Sequence, residues 1–242
     1  MYLINPMNRG NKVINTIIFD FDGVILNSEP MHFKALAHVL NQIGIRLDYE
    51  EYRTHYLGLS DSTVFPKILN DKGLDCSKSQ IDEWIELKVF AYNELIEQSE
   101  QLPMIPELDW FLDRVAQRYE KIGICSGSNR HSILKILEKI HYGRLASYFN
   151  TIVSCEDVIL GKPSPEGYLL AAHRLQAKPE NCLVIEDSEH GVAAAKASGM
   201  LVAGLLTTLS RNQLANADMI VENFKELALL LKDGERPIFN RR

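Results

Sequence analysis

Six short apolar runs punctuate the chain, at 13–19, 121–125, 151–153, 182–185, 201–206 and 218–221. None alternates polar with apolar positions as a half-exposed strand would, so they suit strands covered on both faces of a parallel sheet. Between them apolar residues recur at helical spacing. Leu108, Phe111, Leu112 and Val115 share one face, as do Ile133, Ile136, Leu137 and Ile140. Pro165 suits the first turn of a helix over 165–175, and the alanine-rich stretch 192–197 stops at Gly199. Strand alternating with helix predicts right-handed βαβ units. The fold class expected is α/β, a doubly wound, Rossmann-like parallel sheet with helices on both faces.

The alternation breaks once. From 28 to 101 only helical patterns and turns occur, with helices expected over 31–40, 64–69 and 81–96. A helical segment between the first and second strands reads as an inserted helical cap domain, 28–101. The α/β core would then be 1–27 joined to 102–242, with Pro103 and Pro106 marking the return.

Composition narrows the class. A chain of 242 residues is long for one core of ~100–150 and short for two, which agrees with one domain carrying an insertion. Hydrophobic residues at 46% and charged residues at 24% exclude a disordered or collagen-like chain. No apolar run reaches the ~18 residues of a membrane helix. The first residues, MYLINPMNRGNK, are polar and lack the apolar stretch of a secretory signal, so a cytoplasmic protein is expected, as a monomer. A net charge of -6 argues against nucleic acid or an anionic membrane as partner, while leaving room for a local basic pocket. Cys76, Cys125, Cys155 and Cys182 form no C-x-x-C pair. A zinc cluster is not expected, and Cys125 and Cys182 read as packing residues in strands.

Ligands of an open parallel sheet sit beyond the carboxyl ends of its strands. There the chain places Asp20-Phe21-Asp22-Gly23, Ser126-Gly127-Ser128, Gly161-Lys162-Pro163 and Glu186-Asp187-Ser188. Three or four carboxylates meeting in one crevice repel unless a cation sits among them, and oxygen ligands without His or Cys suit Mg²⁺. Ser126 with the N–H groups of Gly127 and Ser128 forms an anion cradle before a helix, and Lys162 adds positive charge. Together these make a site for a phosphoryl group. Taken singly, each has a plainer reading: Asp20 and Asp22 as turn caps, Ser126 as a helix N-cap, Lys162 as a solvated loop lysine, Glu186 as a supporting acceptor.

This constellation resembles the haloacid dehalogenase superfamily in its phosphatase and phosphomutase branch. The first motif is matched by Phe19-Asp20-Phe21-Asp22-Gly23-Val24, the second by Ser126, the third by Gly161-Lys162-Pro163 and the fourth by Glu186-Asp187-Ser188. Glu186 to Gly191, with Ala193-Ala194 and Ser198-Gly199-Met200 after it, is similar to the β-phosphoglucomutase-like group, which carries a helical cap after its first motif. The resemblance implies Asp20 as nucleophile, through an aspartyl-phosphate, and Asp22 as general acid and base. It implies Ser126, Gly127 and Lys162 around the phosphoryl group. Mg²⁺ would be held by Asp20, the backbone carbonyl of Asp22, Asp187 and Glu186. In the cap, His32 would gate Asp22, and Lys88 would bind substrate. Two departures stand out. Asp61 occupies the place of a phosphate-binding cap arginine, and Asn27 stands where the group often has Asp. The function expected is a Mg²⁺-dependent phosphatase of a small phosphorylated metabolite such as a sugar phosphate. The alternatives are a sugar-phosphate mutase of the β-phosphoglucomutase type and a silent phosphate-binding protein.

Overall fold

Residues 14–232 are described by the structure, a computed structural model. The expected strand start at Val13 and the polar segment before it lie outside the described residues. Strands β1 (Thr16–Phe19), β2 (Lys121–Cys125), β3 (Thr151–Val153), β4 (Cys182–Glu186), β5 (Leu201–Leu205) and β6 (Met219–Val221) form one sheet. Every pairing is parallel, and the order is β3-β2-β1-β4-β5-β6. The chain first builds outward from β1 to β3, then crosses back to β4 and builds the other way. β1 and β4 therefore flank the point where the winding reverses, and the crevice at their carboxyl ends is the natural place for a ligand.

The apolar runs are buried for the expected reason. All four residues of β1 and all five of β4 are buried. Successive side chains point to opposite faces. Ile17 and Phe19 enter one apolar layer with α5 (Leu108–Arg118), α6 (Arg130–Lys139) and α9 (Phe224–Lys232). Ile18 enters the other with α7 (Glu166–Arg174) and α8 (Glu189–Ala197).

Between β1 and β2 the chain forms α1 (Glu29–Gln42), α2 (Tyr49–His55), α3 (Asp61–Asp71) and α4 (Lys78–Gln98). These helices bury an apolar cluster of their own, which includes Leu36, Leu40, Tyr52, Phe65 and Ile68. Tyr52 and Tyr56 are buried in this cluster. α4 starts on a capping box in which Ser77 and Gln80 satisfy each other's backbone N–H groups. The two connections to the sheet run side by side: Asn27 N–H donates to Pro103 O at 2.7 Å, and Ile105 N–H to Ile25 O at 3.0 Å. Lys139, on α6, donates to the carbonyls of Ile96, Glu97 and Ser99 at 2.6–3.0 Å and so caps the C-terminus of α4 from below.

Two helices were not foreseen. α2 buries only Tyr52 and so has no apolar stripe to read. α9 comes after the last strand and packs Phe224 on Phe111, ring centroids 4.9 Å apart. Among the described residues, no helix is long and apolar enough to cross a membrane.

Candidate active site

β1 ends at Phe19, and the ladder continues one residue further, with Asp20 N–H donating to Ile185 O at 2.9 Å. This fixes Asp20 against the end of β4. The chain then folds into a tight turn, in which Ile25 N–H donates to Phe21 O at 2.8 Å. Gly23 sits in this turn at φ +77°, and a Cβ there would collide with the Asp187 carboxylate, so only glycine lets the two strand ends close up.

Asp20, Lys162, Glu186 and Asp187 converge. Lys162 Nζ donates to Asp20 Oδ1, and to Glu186 Oε1 at 2.6 Å. Tyr168 OH donates to the same Glu186 oxygen at 2.7 Å. Glu186 Oε2 accepts from the backbone N–H of Asp187 at 3.0 Å, that of Ser188 at 3.1 Å and the Ser188 hydroxyl at 2.9 Å. Five donors therefore hold a fully buried carboxylate, as a buried charge requires. α8 runs against it so closely that a Cβ at Gly191 would overlap the Glu186 carboxylate.

The electrostatics reflect this crowding. Burial pushes the Asp20 carboxyl up, to about 8; Lys162 opposes the rise, while Glu186 and Asp22 add to it. Burial, then the charges of Glu186 and Asp20, hold Asp187 well above the usual carboxylate range. Burial would raise Glu186 too, but Lys162 overcomes it and lowers this carboxyl. Burial disfavours the Lys162 ammonium, yet Asp20 and Glu186 more than offset this and keep it charged.

Carboxylate oxygens of Asp20, Glu186 and Asp187 lie within 4.8 Å of one another, all three residues buried. This oxygen-only set fits a hard divalent cation, whose charge would relieve the crowding that raises Asp20 and Asp187.

Asp22 lines the same cavity but has other hydrogen-bond partners. It accepts from the Ser128 hydroxyl at 2.6 Å and meets His32 Nε2 at 3.4 Å. Burial alone would raise its carboxyl, but the hydrogen bonds of its neighbours, His32 foremost and then Ser128, hold it well below the usual range. His32 Nδ1 lies 2.8 Å from Lys88 Nζ, which also contacts both Asp61 oxygens, at 2.8 and 3.0 Å. The structure thus brings His32 to Asp22, and Lys88 to the other nitrogen of His32.

The expected anion cradle is less uniform. Gly127 and Ser128 line a cavity of about 630 Å³ together with Asp20, Asp22 and Lys162. Ser126 is buried beside it, its hydroxyl accepting from Ser128 N–H at 2.9 Å. The N-cap of α6 is Asn129, whose side chain accepts from Ser132 N–H at 2.9 Å, so the alternative capping role of Ser126 falls to Asn129.

Sequence reasoning passed over four participants. Tyr168 lies in the helix expected over 165–175, and nothing in the sequence marks it. Ser128 was counted only for its backbone. Thr207, whose hydroxyl donates to Gly23 O at 2.5 Å, and Thr208, which lines the cavity, lie just past the carboxyl end of β5. The strand-end position that singles out Asp20, Ser126 and Asp187 singles out these two threonines as well.

Residues 17–205 match the family described as haloacid dehalogenase-like hydrolase. The chain is 29% identical over 225 residues to a protein named beta-phosphoglucomutase from Bacillus subtilis (strain 168), spanning 92% of this chain and 95% of that one. It is 28% identical over 188 residues to the phosphorylated carbohydrates phosphatase of Thermotoga maritima, spanning 77% of this chain and 82% of that one. Among solved structures, a beta-phosphoglucomutase from Clostridium difficile superposes with a TM-score of 0.74 at 25% identity, over 89% of this chain and 93% of that one.

Proposed function

The chain belongs to the haloacid dehalogenase-like hydrolases, and on that premise we propose that it is a Mg²⁺-dependent phosphatase of a small phosphorylated metabolite, a sugar phosphate being the class its relatives' names favour. The observation that carries the reading is the contact of Lys162 with both Asp20 and Glu186, in a cavity that Asp22 also lines. That arrangement pairs an attacking carboxylate with a cation that reduces its repulsion from an anionic phosphate.

In this reading the Asp20 carboxylate attacks phosphorus, and the bond from phosphorus to the substrate oxygen breaks. The Asp22 carboxyl, held low in the free site, is raised by the anionic phosphoryl group bound beside it, takes up a proton and gives it to the departing alkoxide. The resulting Asp22 carboxylate then takes a proton from water as that water attacks the aspartyl-phosphate, which frees Asp20 and inorganic phosphate. The Ser126 hydroxyl, which Ser128 N–H orients, the Gly127 N–H and Lys162 hold the phosphoryl oxygens. Asp20, Asp187, Glu186 and the backbone carbonyl of Asp22 would hold Mg²⁺, whose charge offsets that of the phosphoryl oxygens. Residues 28–101 act as a cap that limits bulk water at the reacting centre.

The test is release of inorganic phosphate from a panel of sugar, polyol and short-acid monophosphates with Mg²⁺, in the wild type and in Asp20→Asn. The reading expects release that the variant abolishes. Fast conversion of β-glucose 1-phosphate to glucose 6-phosphate, primed by the bisphosphate, with little phosphate released, would replace it by the mutase reading.

A further inference from the structure

The far side of the cavity, away from Asp20, is built from α1, α3 and α4. Among the described residues lining the cavity, the lysines and arginines number two, Lys88 and Lys162. Lys162 is engaged by Asp20 and Glu186. Lys88 has a nearly buried side chain, 5% exposed, and spends its ammonium on both oxygens of Asp61 and on His32 Nδ1. On the same side Glu29 adds a second carboxylate, which accepts from Tyr52 OH. Ser60 and Ser62 add hydroxyls. Asp61 is the first residue of α3, where the unsatisfied N–H groups and the helix dipole favour its negative charge.

A ligand whose phosphate lies at Lys162 therefore extends its other end towards two carboxylates and hydroxyls, with the nearest cation already bound. Hydroxyl groups can donate to Asp61 and Glu29 and accept from the serines. A second phosphate or a carboxylate would meet like charge in a partly desolvated space. We infer that Asp61 is a specificity-determining residue: by holding Lys88 and adding its own charge, it restricts the substrate to monophosphates with an uncharged, hydroxyl-bearing organic part and rejects those bearing a second anionic group. This rests on the phosphatase reading and goes further by naming the substrate class and the residue that sets it.

The matched probes are glucose 6-phosphate, whose far end is neutral, and 6-phosphogluconate and fructose 1,6-bisphosphate, whose far ends are anionic. kcat/KM is measured for each, and affinity for each is measured separately on Asp20→Asn by titration calorimetry. Asp61→Asn removes the charge and releases Lys88. The ratio of anionic to neutral substrate should then rise by about tenfold, in kcat/KM and in affinity. Adding Lys88→Met should cancel much of that gain, and Asp61→Glu should keep the wild-type preference. Any effect of Asp61 on Asp22 through Lys88 and His32 is common to all probes and drops out of the ratio. An unchanged ratio in Asp61→Asn, or a wild type that takes the bisphosphate as readily as the monophosphate, overturns the inference while leaving the phosphatase reading intact. Discrimination in binding without phosphate release by the wild type would overturn the phosphatase reading and leave the inference standing.

Discussion

Lys88 Nζ lies 2.8 Å from His32 Nδ1, and that contact decides which side of the imidazole meets Asp22. An ammonium only donates, so Nδ1 accepts and the ring hydrogen sits on Nε2, facing Asp22 Oδ1 at 3.4 Å. Tyr92 stacks on the ring at 4.2 Å with an interplanar angle of 4°, which fixes its plane. α1 and α4 thus present a hydrogen-bond donor to a carboxylate that belongs to the sheet.

Lys88→Met should therefore act on turnover more than on folding. Without the donor at Nδ1, the ring is free to take the other tautomer and turn an acceptor towards Asp22. With a generic aryl phosphate, kcat is expected to fall by about 10–100-fold, a fraction of what acid–base catalysis supplies, with a smaller change in KM. Steady-state kinetics beside a circular dichroism spectrum decide it; an unchanged kcat would rule out the role of the lysine.

Tyr168→Phe tests the anchoring of Glu186. The hydroxyl it removes donates to a fully buried carboxylate at 2.7 Å. The expected cost is about 1.5–3 kcal/mol of unfolding free energy, the usual range for a hydrogen bond to a charged group. Urea unfolding measures it, and a loss under ~0.5 kcal/mol would mean that the other four donors suffice.

Asp157 gives an acid-dependent stability. Arg174 donates to it at 2.7 Å, Arg130 at 2.5 Å and Ser154 N–H at 2.8 Å, and these bonds, led by that of Arg174, hold its carboxyl well below the ordinary 3.8. A depressed carboxyl contributes stability that is present above the unfolded value and lost as pH falls through the folded one. Asp157→Asn should thus destabilise at neutral pH by about 1–3 kcal/mol. The gap in Tm between wild type and variant should close as the pH is taken below the ordinary value of 3.8. A gap that widens in acid would contradict the assignment.

Metal binding should read directly on stability. Asp20 and Asp187 repel each other and Glu186 within a 4.8 Å cluster, so Mg²⁺ should raise Tm, by the equivalent of about 2.7 kcal/mol at a hundredfold excess over Kd. Asp187→Asn removes one of the crowding charges. It should be at least as stable as the wild type without metal and should gain less from Mg²⁺. Differential scanning fluorimetry with and without chelator measures both; an equal Mg²⁺ shift in wild type and variant would remove Asp187 from the ligands.

The sheet was legible because buried parallel strands leave uninterrupted apolar runs, as in Ile17-Ile18-Phe19 and Leu183-Val184-Ile185. The polar residues that end them were legible because winding topology sends strand ends to one crevice. α2 was hidden because its fourteen-residue neighbour α1 carries the apolar stripe while α2 itself buries Tyr52 alone. α9 was hidden because Leu229-Leu230-Leu231 blurs its helical period, although Leu231 is buried and Leu229 is not. The pairing of Asp61 with Lys88 joins two helices across 27 residues of sequence. The departure at Asp61 could be read from the sequence, but the cation it holds could not, because nothing local to either residue records how α3 packs on α4.

The central claim is that Asp20 carries the phosphoryl group. Wild-type protein, mixed with Mg²⁺ and a hydrolysed substrate labelled in its phosphate, can be quenched in acid within the first turnover, reduced with borohydride and mapped by peptide mass spectrometry. Borohydride converts an aspartyl-phosphate to homoserine. The account predicts acid-stable, alkali-labile label on the protein before reduction and homoserine at position 20 after it, with both absent from Asp20→Asn. Release of phosphate with no label trapped, or homoserine at position 22 or 187 instead, would contradict it.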